Sequence, residues 1–487
     1  MSSKLEKNKS GLGELLRRIH FYAGMFVGPF LLIAAVSGAL YALAPTIESV
    51  AYRDMLKVTA TDREVPLDKQ INTARDEHPE LEIAQVWPSS EPDESTRVLM
   101  IDESIDETQL RSVFVNPHDG TIVGDTTSYS GLGELPFRNW VSALHKNLHL
   151  GEPGRLYTEL AASWMWFIAL GGMYLWWRRT RNVKRMAMGY EKKAKKNARN
   201  GLMSMHGVAG VWILVAMLGL SATGLTWSAA TGNNVDTLVA SMNWKADPID
   251  TSLLGATDGG EDSAHAGHEN NDRGTAGEEA EAKPMTGEMI AEQAATVLQT
   301  ARDQGLTGSL RLFPPEDTST AWQASERWVN YRMTSDAITV DGSNGDVVDR
   351  LDFADLPLFS KLTSWGIYLH MGIMFGLPLQ LVLCAVGFSI AGIVVLGYLM
   401  WWKRRPTPGG IAGIPGPRVN LTKMDWIIIA VFLATVGTFI PLLGVSLLVM
   451  IVVDRVLAAR ARKVTTKPVL KGLEEAVREQ EDDNVKV

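Results

Sequence analysis

The sequence holds a single cysteine, Cys384, in 487 residues, and that residue lies inside an apolar run. There is thus no disulfide framework, no CxxC redox motif and no thiolate cluster for zinc or an iron–sulfur centre. A Gly-x-Gly-x-x-Gly unit is also missing, and no stretch expected on the cytoplasmic side is long enough for a flavin or nicotinamide domain. Charge is scarce as well: 21% of residues are charged and the net charge is -8, which argues against a nucleic-acid partner. What the sequence does have is long uncharged runs, such as Ile427 to Val453, of a kind that soluble domains do not concentrate.

A bilayer core of ~30 Å needs ~20 mostly apolar residues in a helix. Four runs meet this: Phe21 to Ala44, Tyr157 to Trp177, Val208 to Ala229 and Ile373 to Trp402. The run from Trp426 to Leu457 is over-long for one helix, and Pro441 with Gly444 predicts a break into a hairpin of two short helices. Basic flanks set the orientation: Arg17 and Arg18, the Arg178 to Arg199 stretch, and Lys403 to Arg405 are cytoplasmic by the positive-inside rule. The hairpin keeps the basic tail inside as well; a single fifth span would put it outside. The expectation is an α-helical integral membrane protein, both termini cytoplasmic. Its parts are an N-terminus with a first span (1–45), an exported module (46–155), a span (156–178), a basic loop (179–205), a span (206–229), a second exported module (230–363), a span (364–402), a loop (403–424), the hairpin (425–458) and a tail (459–487). Both exported segments are acidic, with ten bases against twenty acids between Pro45 and Arg155 and nine against twenty-three between Ala230 and Thr363.

The halves repeat each other. An offset of 186 carries His20, Gly24 and Gly38 onto His206, Gly210 and Gly224; an offset of 225 carries Val115, Gly120, His145, Gly151, Pro153, Gly172 and Trp176 onto Val340, Gly345, His370, Gly376, Pro378, Gly397 and Trp401. A tandem duplication follows, each half being span, exported α+β module, span. In each module a helix precedes alternating segments, with turns at Asn116 to Gly120 and Asp341 to Gly345. The stretch 247–284, rich in Gly, Ala, Asp and Glu, is expected to be a disordered insert. The duplication is expected to place the modules side by side, with a cleft between them.

The repeat also sorts the nine histidines. His20 and His206 correspond, each at the cytoplasmic start of a span; His145 and His370 correspond on the exported side. Ionisable side chains at a span are costly and usually functional. Gly24 and Gly210, one turn from their histidines, leave room for a flat group. Neutral imidazoles from two facing helices are the axial arrangement of a six-coordinate haem. A structural role in capping or snorkelling is the plain alternative for any one of them. Zinc is a competing metal, because His145 and His149 stand at i and i+4; position 374, matching His149, is Met, so His149 is read as an alternate ligand or a supporting residue. His78 and His118 lie in surface-type contexts, and His265 and His268 in the insert. Trp164, Trp166, Trp176, Trp177, Trp365, Trp401 and Trp402 are read mostly as membrane-interface residues.

The His-x3-Gly start of a span, the Asn-Pro-x-Asp-Gly turn, the Leu-His-Lys-Asn-Leu-His-Leu-Gly-Glu-Pro-Gly-Arg stretch from Leu144 and the Trp-Trp-Arg-Arg at Trp176 resemble the PepSY-associated transmembrane family over about residues 11 to 405. The resemblance implies PepSY-like exported modules, two b-type haems on His20, His145, His206 and His370, and a ferric chelate or siderophore reduced on the exported side. Quinol or a separate cytoplasmic protein would supply the electrons. The acidic insert and the extra His149 depart from the family's pattern. The other reading is a binding or regulatory membrane protein, whose modules grip a peptide or a peptidase without redox activity.

Overall fold

A computed structural model describes residues 11–189, 198–253, 282–404 and 421–459. They fall into two compact units. One gathers the chain up to Ala34, Leu150–Val235 and from Ser389 on; the other gathers Ala35–His149 and Asp236–Phe388.

The second unit carries the sheet. After α2 (Gly28–Ala51) and a short α3 (Arg53–Leu56), α4 (Leu67–Glu77) leads into β1 (Glu82–Trp87), β2 (Thr96–Ile101), β3 (Gln109–Val115) and β4 (Ile122–Tyr129). The same order returns as α11 (Gly287–Asp303), β5 (Leu310–Phe313), β6 (Trp322–Glu326), β7 (Ala337–Val340) and β8 (Val347–Leu351). Each set is an antiparallel meander, and β1 pairs with β5, giving one eight-stranded sheet in the order β4-β3-β2-β1-β5-β6-β7-β8. Local detail recurs: the register shifts at Phe114/Val115 and again at Thr339/Val340, and Gly120 and Gly345 close the following turns at φ of 74° and 82°. That left-handed backbone strains any residue with a Cβ.

The two modules expected as separate bodies thus share one sheet and one core. Alternating strand residues such as Val98, Met100, Leu310 and Leu312 pack with Ile71 and Ala74 of α4 and Ile290, Ala294 and Val297 of α11. Where a cleft was expected, β1 and β5 are hydrogen-bonded; burying two sheet edges against each other satisfies backbone groups that would otherwise be open. The expected insert also shrinks. Leu253 N donates to Ser319 O, the Asp250 carbonyl accepts from Thr339, and isolated bridges join Ser252 to Thr320 and Pro284 to Asp317. Residues 254–281, with His265 and His268, lie outside the described residues.

The helices depart from the expected spans in specific places. Among the described residues three are long and apolar enough to cross a membrane: α2, α13 (Gly376–Trp402) and α15 (Pro441–Ala459). The expected span at 206–229 is a pair, α8 (Ala198–Trp212) and α9 (Leu214–Leu225), bent by 60° at Ile213. The segment 156–178 lies in α6 (Glu152–Thr180), which is long enough but less apolar. α14 (Lys423–Phe439) precedes α15, the break falling at Ile440. Gly444 does not break the chain as expected. It sits inside α15 against Gly437, where a Cβ would meet the Gly437 Cα at 2.5 Å. The basic tail from Arg460 on lies outside the described residues.

Candidate functional site

In the first unit, α1 (Leu12–Phe26) carries His20 and α8 carries His206. Their ring centres stand 6.4 Å apart at an interplanar angle of 84°. In the second, α5 (Pro136–Asn147) carries His145 and α12 (Leu358–His370) ends on His370; their ring centres are 6.3 Å apart at 58°. All four histidines placed in correspondence by the repeat come together as the two pairs.

These distances allow a direct test of fit. Two imidazoles that bind one metal ion from opposite sides, each nitrogen ~2 Å from it, have ring centres ~6.3 Å apart. Both pairs have that spacing. His206 Nδ1 donates to the Ile393 carbonyl at 3.0 Å, the tautomer in which Nε2 carries the lone pair a metal requires. The Ser37 hydroxyl stands 3.1 Å from His145 Nδ1, within hydrogen-bond reach, and holds that ring in place. His20 Nδ1 is buried with no hydrogen-bond partner that meets normal geometry, the backbone of Ile168, which the offset of 225 matches to Ile393, being the group that acts on it. Around Gly24 and Gly210 a Cβ would meet no atom within 4 Å, so there is open space beside both helices.

Glycines also crowd the rings from behind. A Cβ on Gly172 of α6 would stand 2.9 Å from His20 Cε1, one on Gly38 of α2 3.0 Å from His145 Cε1, and one on Gly397 of α13 3.9 Å from His206 Cε1. Gly38, Gly172 and Gly397 mark the repeat in the sequence, but their part in seating the histidines was missed there. The same holds for Ser37, whose counterpart at the offset of 186 is the hydroxyl residue Thr223.

His149 is not joined to the outer pair. α5 ends at Asn147, Leu148 and His149 take left-handed φ of 56° and 55°, and the His149 ring lies on Trp140 with centres 4.9 Å apart. The i, i+4 premise for zinc therefore fails, and no group of three or more His, Cys, Asp or Glu able to hold a metal occurs among the described residues. The chain breaks at Leu148–Gly151 and at Met371–Phe375, just before Pro153 and Pro378; each proline sits in the first turn of the next helix, where its missing N–H costs nothing. His118, expected to be solvated, is buried, its nitrogens 2.7 Å from the Arg63 and Pro92 carbonyls. His78 pairs with Asp125 at 2.8 Å. Two tryptophans leave the interface class: Trp164 is buried and donates to Ser446, and Trp176 donates to the Met186 carbonyl.

Ion pairs brace both sites. Arg18, two residues before His20, holds Asp454 of α15 at 2.8 and 3.1 Å, Tyr22 donates to the same carboxylate, and all three side chains are buried. On α5, Arg138 stands 3.5 Å from Glu134, which also accepts from Tyr41.

A sequence-family model described as PepSY-associated TM region matches residues 17–404, a span that includes all four paired histidines. No curated protein matches the chain.

Proposed function

The chain belongs to the PepSY-associated transmembrane family, and from that premise we propose that it is a di-haem b membrane reductase that passes electrons across a bacterial inner membrane to an exported ferric chelate such as a siderophore. The observation that carries this reading is the pair of ring spacings, 6.4 Å for His20–His206 and 6.3 Å for His145–His370. The recurring sheet registers and the matched histidines support a tandem duplication as its origin, each half giving one ligand to each pair.

A haem held by these imidazoles would supply one-electron transfer. The chain's own groups hold and tune it. The Ile393 carbonyl fixes the tautomer of His206 and raises the basicity of its opposite nitrogen, and the Ser37 hydroxyl hydrogen-bonds and orients His145. Gly24 and Gly210 leave the helix faces open for a flat ring, and the absence of a nucleotide-binding motif leaves quinol or a separate cytoplasmic protein as the donor. The acidic balance of both sheet-bearing segments favours a neutral or cationic chelate over a polyanionic one, more so at low salt.

The test is the pyridine haemochrome yield of the purified protein. Wild type is expected to carry two haems per chain; His20→Ala or His206→Ala removes one, and His145→Ala or His370→Ala the other. Full yield in every single variant refutes the ligand assignment. A wild type without haem leaves the binding or regulatory reading in its place. Reoxidation of the dithionite-reduced protein by cationic and anionic ferric chelates of matched potential tests the substrate; no reoxidation by either removes it.

A further inference from the structure

On the sheet face opposite α4 and α11, three arginines gather. Arg97 of β2 and Arg311 of β5 point there by strand alternation, since their neighbours Val98, Leu310 and Leu312 fill the helix side. Arg327 follows β6. Its guanidinium lies 4.3 Å and that of Arg97 4.7 Å from the Trp87 ring centre, and Arg97 also lies 4.6 Å from that of Phe114. Burial and then repulsion from Arg327 push Arg97 down to about 9; burial pushes Arg327 down to about 10, with Arg311 repelling it; burial lowers Arg311 too. Among the described residues Glu94 makes an ion pair with Arg327 at 3.8 Å, and Glu48 and Glu94 both act on Arg97, leaving the three arginines with more positive than negative charge around them. Arg311 Nε is buried with no hydrogen-bond partner. Positive charge in excess, buried at Arg97, half-buried at Arg311 and Arg327, and incompletely bonded, is the environment an anion stabilises.

The trio adjoins the chain segments that carry the outer histidines. Arg97 donates to the Gly133 carbonyl and Arg311 to that of Gly131, in the loop that enters α5 and His145. Tyr368, two residues before His370, feels the Arg311 charge and stacks on Trp328 at 4.2 Å. Arg138, the other arginine near α5, is already engaged by Glu134 and Tyr41.

We propose that Arg97, Arg311 and Arg327 form a carboxylate-binding site for the propionates of the haem held by His145 and His370, fixing which edge of that haem meets the sheet. This rests on the histidine pairs being haem ligands. Charge-assisted guanidinium–carboxylate bonds give such a site both strength and direction.

The experiment uses the full chain carrying His20→Ala, which leaves the outer pair as the haem site, titrated with haem and with haem dimethyl ester and followed by the Soret band. The diester is expected to bind ~10-fold or more weakly than haem, the loss of a charged hydrogen bond. Adding Arg311→Gln, or separately Arg327→Gln, is expected to weaken haem while leaving the diester unchanged, and to lower the midpoint potential of the bound haem, because a nearby positive charge favours the reduced form. Equal affinity for haem and diester, or equal loss of both in the arginine variants, overturns the proposal while leaving the histidine assignment standing. No Soret band in either the wild type or the His20→Ala chain overturns that assignment, and this proposal with it.

Discussion

Gly172→Ala and Gly397→Ala make a matched pair of perturbations, since the two glycines correspond in the repeat and each stands behind one ring of the inner histidine pair. A methyl on Gly172 would lie 2.9 Å from His20 Cε1, while one on Gly397 would lie 3.9 Å from His206 Cε1. Favourable carbon–carbon contact begins at ~3.5 Å, so His20 must retreat by ~0.6 Å and His206 not at all. Metal–ligand bonds keep within ~0.2 Å of their ideal length, so a displacement of that size breaks the bond or turns the ring out of line. Gly172→Ala should therefore lose most of the haem held by His20 and His206, or convert it to a five-coordinate, high-spin form, while Gly397→Ala keeps the wild-type spectrum. The assay is haemochrome yield with the visible and electron paramagnetic resonance spectra of both variants. A normal low-spin spectrum in Gly172→Ala, or equal damage in both, would refute the reasoning. Gly38→Ala, 3.0 Å from His145 Cε1, should act on the outer haem in the same way.

Asp454→Ala leaves Arg18 buried without its partner and should destabilise the protein in detergent by ~3–5 kcal/mol, whereas the double variant Arg18→Met/Asp454→Leu should recover most of that; thermal unfolding of the three chains decides it. His118 can satisfy two carbonyl acceptors only as the imidazolium, and those bonds raise its pKa. With the folded value above the unfolded ~6.5, its stabilisation is complete below that pH and is lost as pH rises through the folded pKa. The stability difference between wild type and His118→Gln should therefore shrink from pH 6 to pH 9, and a constant difference would count against the imidazolium. Replacing Gly255–Glu281 by a short linker should leave haem content and melting temperature unchanged, because the flanking residues 252 and 284 bridge to Thr320 and Asp317 of one short segment; loss of membrane insertion would show the stretch to be structural.

The helix-then-strands order of the two sheet-bearing segments and the identity of the paired histidines were determined by the sequence alone, because duplication writes the same residues twice at constant offsets and a chance histidine has no counterpart. His145 and His370 were legible for that reason, and His149, matched to Met374, stood outside the pattern before its ring was found on Trp140. Helix-forming apolar runs were legible too, since length and hydropathy are local properties. Tertiary structure decided what depends on approach between distant segments. The meeting of β1 with β5 is a backbone pairing with no side-chain signature, so two modules read as separate became one sheet. Ser37, Gly38 and Gly172 show their roles only once a ring from another helix lies against them. His118 reads as a surface residue in a turn until its two nitrogens meet carbonyls from two different loops. The arginines of β2 and β5 are ordinary strand charges in the sequence; they share one face because the two halves close into a single sheet, on which like charges from both must lie together.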